Sequence, residues 1–202
     1  MKVFGWRTRR GLDWRRFCVV WVLALVTAGG TVWATTAAAV PVRFAVSGSE
    51  FRVSAERLEG HGVIQYASVT EGAGGERRPV AVTGIGRAEM RDLCLSAVAH
   101  TPLGAVTLLI RSAPGKDVRA DDLVLDLEQL EGDLEFGDAQ LGRDAASLDA
   151  GPGGPGPDGG YGQQARTLTI DGMRLRSWSV TAATFRLDST RISVRLGEHT
   201  CF

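Results

Sequence analysis

LVLDLEQLEGDLEFGDAQL, residues 123–141, decides the class of this fold. Leu123, Leu125 and Leu127 alternate with Val124, Asp126 and Glu128, and after Leu130 the apolar Leu134 and Phe136 alternate with Asp133, Glu135 and Gly137. An apolar residue at every second position places the whole set on one face of an extended chain, the signature of a half-buried strand.

The same period spreads outward. Upstream, Phe44, Val46, Phe51 and Val53 alternate with polar or small residues, with Gly48-Ser49 as a turn or bulge. Gly60-His61-Gly62 divides Leu58 from a further strand, Val63 to Val69, and Glu71 to Arg78 reads as a polar hairpin loop. Pro79 to Ile85, Ala88 to Val98 and Leu103 to Ile110 follow as strands, with a break at Thr101-Pro102 and a turn over residues 113–116. Downstream, Leu168, Ile170, Met173 and Leu175 resume the pattern, which ends with Ile192, Val194 and Leu196. No stretch after residue 42 keeps a helical period over eleven or more residues. The expectation is all-β: a single antiparallel domain over 43–202, folded as a sandwich or a curved sheet. FAVSGSEF (44–51) and LTIDGMRL (168–175) share one pattern, which leaves a β-solenoid as the alternative.

Two charge blocks suggest how the strands pair. Residues 117–149 hold eleven acids against Arg119 and Arg143, whereas residues 166–196 hold six arginines against Asp171 and Asp188. Opposite charges on facing strands contribute roughly 0.2–1 kcal/mol per pair, so the two blocks are expected side by side in one sheet. Between them lies AGPGGPGPDGGYGQQA (150–165), with seven glycines and three prolines. Such a run reads as a long loop over one end of the sheet, preceded by one helical turn around Asp144 to Leu148.

The start of the chain is different. Residues 1–16 form a basic region with Lys2, Arg7, Arg9, Arg10, Arg15 and Arg16 against Asp13, and Phe17 to Val42 then runs for 26 residues without a charge. A hydrophobic helix of that length spans a bilayer, and the basic flank orients it with the N-terminus in the cytoplasm. Trp14 and Trp33 lie 19 residues apart, about 29 Å along a helix, which suits an aromatic residue at each interface. Ala37-Ala38-Ala39 equally suits cleavage of a signal peptide near Ala39. Segment 17–42 therefore reads as a transmembrane or signal segment, and the location as a membrane with an extracytoplasmic domain, or secreted. Thr8-Arg9-Arg10-Gly11-Leu12 resembles part of a twin-arginine export signal.

From Val40 onward 17 basic residues stand against 22 acidic ones, a net charge of −5. A mildly acidic domain is a poor nucleic-acid binder. With Cys18 in the leader, Cys94 and Cys201 remain as an even pair in an oxidising compartment. Their bridge closes a loop worth about 4–5 kcal/mol in the chain-entropy model; the alternative is two free buried thiols.

Chemistry is sparse. There is no G-x-S-x-G elbow. Asp92, Ser96 and His100 fall on one face of a strand, but residues four apart stand about 13 Å from each other, too far for a proton relay. His61, His100 and His199 lack metal-ligand spacing, and the acids that alternate with leucines read as a solvated face rather than a calcium site. No catalytic residue, metal or cofactor is assigned. An apolar pocket within a curved sheet is the remaining option.

FAVSGSEFRVSAERLEGHGVIQY (44–66), TPLGAVTL (101–108), LVLDLEQLEGDLEF (123–136), YGQQA (161–165), TFRLDS (184–189) and the final Cys201-Phe202 resemble a Streptomyces-type actinobacterial envelope family of unknown function. Its members sometimes carry a cholesterol-esterase label. The resemblance implies an envelope protein and brings no catalytic residues. The expected function is a non-catalytic binding module for a lipid or a membrane partner. A lipid-ester hydrolase and a purely structural or assembly module are the alternatives.

Overall fold

A computed structural model describes residues 49–72 and 74–202. The expected hydrophobic helix 17–42, its cleavage site, the Trp14–Trp33 spacing and Gly48 lie outside the described residues. Among the described residues no helix is long and apolar enough to cross a membrane.

The chain is nearly all strand: β1 (Phe51–Glu71), β2 (Arg77–Arg91), β3 (Cys94–Thr101), β4 (Gly104–Ser112), β5 (Asp117–Gly137), β6 (Gln140–Asp144), β7 (Tyr161–Thr181), β8 (Thr184–Arg186) and β9 (Thr190–Leu196). One 3-10 turn, Ala145–Ser147, is capped by Asp144, whose carboxylate accepts from the Ala146 N–H. Every pairing is antiparallel. The all-β expectation holds as one large antiparallel sheet, and a solenoid of stacked parallel turns is not the arrangement.

The sheet has two parts. The long strands pair in a ring: β1 with β2, β2 with β5, β5 with β7, and β7 back to β1. Their inward side chains, among them Leu58, Ile85, Val118, Leu123, Leu168, Ile170 and Met173, form the main core. The 123–141 pattern works as read: Leu123, Leu125 and Leu127 are buried inward. The second part is a wing, β3–β4–β9, joined to the first residues of β1, where Phe51 faces Ala97 and Val53 faces Leu95. Cys94 at the root of the wing and Cys201 in the C-terminal tail stand in disulfide geometry, with Cα atoms 5.9 Å apart. The tail lies over one face of the wing, where the Cys201 N–H donates to Ser96 Oγ and the His199 N–H to Thr107 Oγ1.

The two charge blocks are neighbours, since β5 pairs with β7 from Val124 to Gly137. Their charges are shared more widely than expected. Asp117 and Asp121 meet Arg91 and Arg87 of β2, and Arg57 of β1 meets Asp171. Among the described residues, Arg166 with Asp138 is the ion pair that joins the two blocks directly.

Two local expectations are corrected. Gly60-His61-Gly62 does not interrupt the strand, because β1 runs through it with Gly62 at φ 67°. The glycine-rich run is also shorter as a loop than expected, since β7 begins at Tyr161. Gly162 sits within that strand because a side chain there would lie 2.9 Å from both Ala145 Cα and Leu148 Cδ1. The remaining segment, 150–160, is a fixed strap across the outer face of the ring. It covers a second core of Ile64, Tyr66, Val80, Val82, Ala145 and Leu148. The Tyr66 hydroxyl donates to the Gly153 carbonyl at 3.0 Å, and Ala145 and Gly160 are bonded through their backbones. Close approach explains the glycines: a Cβ on Gly84 would fall 1.7 Å from the Pro152 carbonyl oxygen.

Gly84→Ala is therefore expected to cost about 1–3 kcal/mol, the usual range for overpacking, and to raise amide exchange across 150–160. Denaturant unfolding and hydrogen exchange check this, and an unchanged strap contradicts it. Replacing Cys94 and Cys201 together by Ser is expected to cost about 4–5 kcal/mol in denaturant unfolding, since the bridge spans 107 residues of chain.

Candidate functional site

The ring is not filled. Its interior holds an apolar cavity of about 180 Å³, bounded by residues that include Phe51, Val53, Met90, Leu93, Leu95, Leu125, Met173, Val180 and Phe185. The elements that position these side chains explain why it opens where it does. Phe51 and Val53 come from the start of β1, the stretch bonded to β3 rather than β2. Leu93 lies in the bend between β2 and β3, next to Asp92 at φ 52°. At that bend β2 turns into the ring and β3 turns out into the wing, so the wall is split. Val180 and Phe185, 41% and 40% exposed, stand at the rim.

Every residue that bounds the cavity is apolar. A space of this size accommodates an aromatic ring or part of an acyl chain: an enclosed apolar hole of about 150 Å³ takes up benzene. It lies below the roughly 300–1,000 Å³ of pockets that enclose drug-sized ligands.

A polar cleft of about 370 Å³ lies on the tail-covered side of the wing, bounded by residues that include Glu50, Arg52, Ser96, His100, Trp178 and Glu198. Its groups are largely engaged with each other. Ser96 Oγ accepts from the tail, Arg52 pairs with Glu50 at 3.5 Å, and the Arg78 guanidinium stacks 3.8 Å from the centre of the Trp178 ring. Ser96 and His100 both border this cleft, whereas Asp92 is elsewhere, its carboxylate accepting from the Gly115 N–H at 2.6 Å in the turn before β5. The three are not brought together as a relay. The His199 ring donates to the Leu196 carbonyl at 3.0 Å, and His61 sits mid-strand opposite Arg87. Among the described residues no three His, Cys, Asp or Glu side chains converge as a metal site.

One carboxyl near the cleft is perturbed. Burial raises Glu128, a hydrogen bond to Glu50 adds to the rise, and Arg176 opposes it. A carboxyl whose folded value lies above its unfolded one contributes stability below the ordinary value of 4.5, and loses that contribution as pH rises through the raised value. Glu128→Gln is expected to raise the melting temperature slightly at pH 7 and to leave it unchanged in acid. Thermal denaturation at the two pH values tests this, and a loss at pH 7 contradicts it.

Nothing in the sequence singles out the cavity residues. Alternation marks Val53, Leu125 and Met173 as inward, but a filled and a hollow interior are written with the same period. The change of partner along β1 has no local signal except the Asp92-Leu93 bend.

Residues 47–202 match a family of unknown function, DUF6230. No curated protein matches the chain, and no solved structure does. The match takes in every strand of the ring and the wing, and the chain belongs to the DUF6230 family.

Proposed function

We propose that this protein is a non-catalytic binding module of the cell envelope that takes an acyl chain into the ring. The observation that carries the reading is the apolar cavity of about 180 Å³, open at the split between ring and wing. Burying apolar surface is worth roughly 25 cal/mol per Å², or about 0.8 kcal/mol per methylene, so a few methylenes seated there give useful affinity. The uncharged run Phe17–Val42, with its basic flank, supports a place outside the cytoplasm, held at the membrane or released by cleavage.

The hydrolase alternative gains nothing from this site. A lipid ester seated in the cavity meets no hydroxyl, thiol, imidazole or carboxylate among the residues that bound it. The resemblance to actinobacterial envelope proteins supports the location rather than a reaction.

Native mass spectrometry of the protein purified from membranes is expected to retain one lipid or fatty acid per chain. Ala182 borders the cavity and is only partly buried, so Ala182→Phe fills the space without removing a core contact. That variant is expected to keep its fold and to lose at least about tenfold in fatty-acid affinity, which is about 1.4 kcal/mol. A wild-type protein that carries no lipid and binds none on titration overturns the reading.

A further inference from the structure

The apolar lining does not stop at the cavity mouth. Residues directly opposed in an antiparallel sheet share a face. Leu95, which borders the cavity, faces Ile110, and Ile110 faces Ile192; Ala97, Leu108 and Val194 make the next row, and Ala99, Val106 and Leu196 the last. One side of the wing is thus a continuous apolar surface leading out of the cavity. It is uncovered at its far side, where Ile192, Val194 and Leu196 are 61%, 67% and 79% exposed. The other side carries the tail near its root and, beyond it, the exposed Arg111, Arg191 and Arg195. None of these three arginines is in an ion pair among the described residues.

We infer that this face of the wing docks on an anionic lipid bilayer, which then supplies the acyl chain to the adjoining cavity. The inference rests on the lipid-binding reading above and names the source of the lipid. Three observations select a bilayer. The surface is amphipathic in the sense a membrane interface requires, with apolar side chains on one side of β9 and arginines on the other. Arginines on an edge strand reach past the edge to the phosphate level, each worth about 1 kcal/mol near an anionic surface. The unpaired backbone of β9 keeps the strand at the interface, because unbonded N–H and C=O groups are costly in hydrocarbon. Chain length agrees. Eight residues, 43–50, separate the uncharged run from Phe51, the first residue of this surface, and fully extended they span about 28 Å. A retained anchor therefore keeps the wing within reach of the membrane. A second copy fits less well, since pairing β9 with its equivalent sets Arg191 and Arg195 of both copies along one face.

The test uses the full chain with Cys18→Ser, so that a single introduced thiol takes a bimane label. The label is placed on Val194→Cys or, as a reference on the strap, on Asp158→Cys, and the protein is reconstituted in phosphatidylcholine vesicles with or without phosphatidylglycerol. With brominated acyl chains, bimane at residue 194 is expected to lose about half its intensity in the anionic vesicles, and bimane at 158 to stay unchanged. Arg191→Glu with Arg195→Glu is expected to remove the dependence on phosphatidylglycerol. Equal quenching at the two positions, or none, overturns the inference. Cross-linking of residue 194 between chains in place of quenching overturns it in favour of a second copy. Native mass spectrometry on the same samples separates the two readings. Lipid retained without quenching sinks the docking face and leaves the cavity reading intact, whereas quenching without retained lipid sinks delivery to the cavity.

Discussion

Strand β1 changes partner once, and the rest of the structure follows from that change. Along one edge it is bonded to β7 from Phe51 to Tyr66. Along the other it is bonded to β3 at Phe51–Ser54 and to β2 from Arg57 onward. Backbone groups must be paired when buried, so β2 and β3 have to part where one replaces the other. β2 goes on to close the ring through β5, and β3 starts the wing. The cavity borders this parting, where Phe51, Val53, Leu93 and Leu95 line it, and its rim is formed by the exposed Val180 and Phe185.

The ring is kept in shape from outside. The strap over β1 and β2 is held by a hydrogen bond from the Tyr66 hydroxyl and by the close approach of Gly84 to Pro152, so glycine serves here for contact rather than for flexibility. Gln164 ties the same region together, its carbonyl accepting from the Asp149 and Ala150 N–H groups. The strap packs on the stretch of β1 and β2 around Ile64 and Val82, whereas the cavity is bounded by Phe51, Val53 and Met90 further along the same strands. Cys94 and Cys201 give the wing a comparable constraint by fixing the tail across one of its faces. The opposite face stays bare.

Much of the architecture was legible in the residues. Alternation in Leu123–Leu127 and Leu168–Leu175 marked strands and their inward faces, and the charge blocks placed β5 beside β7. What escaped has a physical reason. Gly60-His61-Gly62 and the glycine-rich run that includes Gly162 read as breaks because glycine is costly in a strand, yet Gly62 and Gly162 admit the backbones of Ala150 and Ala145, which only the tertiary fold reveals. The hollow interior escaped because burial pattern carries no information about packing density. Ile192, Val194 and Leu196 repeat the period of core residues, although nothing among the described residues covers them.

Lipid binding here depends on an open apolar space beside the parting of β2 and β3. A crystal structure of the protein under xenon pressure addresses it most directly, because xenon enters apolar cavities of this size and needs no knowledge of the natural ligand. Xenon density, or density for a retained acyl chain, is expected among Phe51, Leu93, Met173 and Phe185. A ring interior closed by the side chains of those residues, with no density between them, contradicts it.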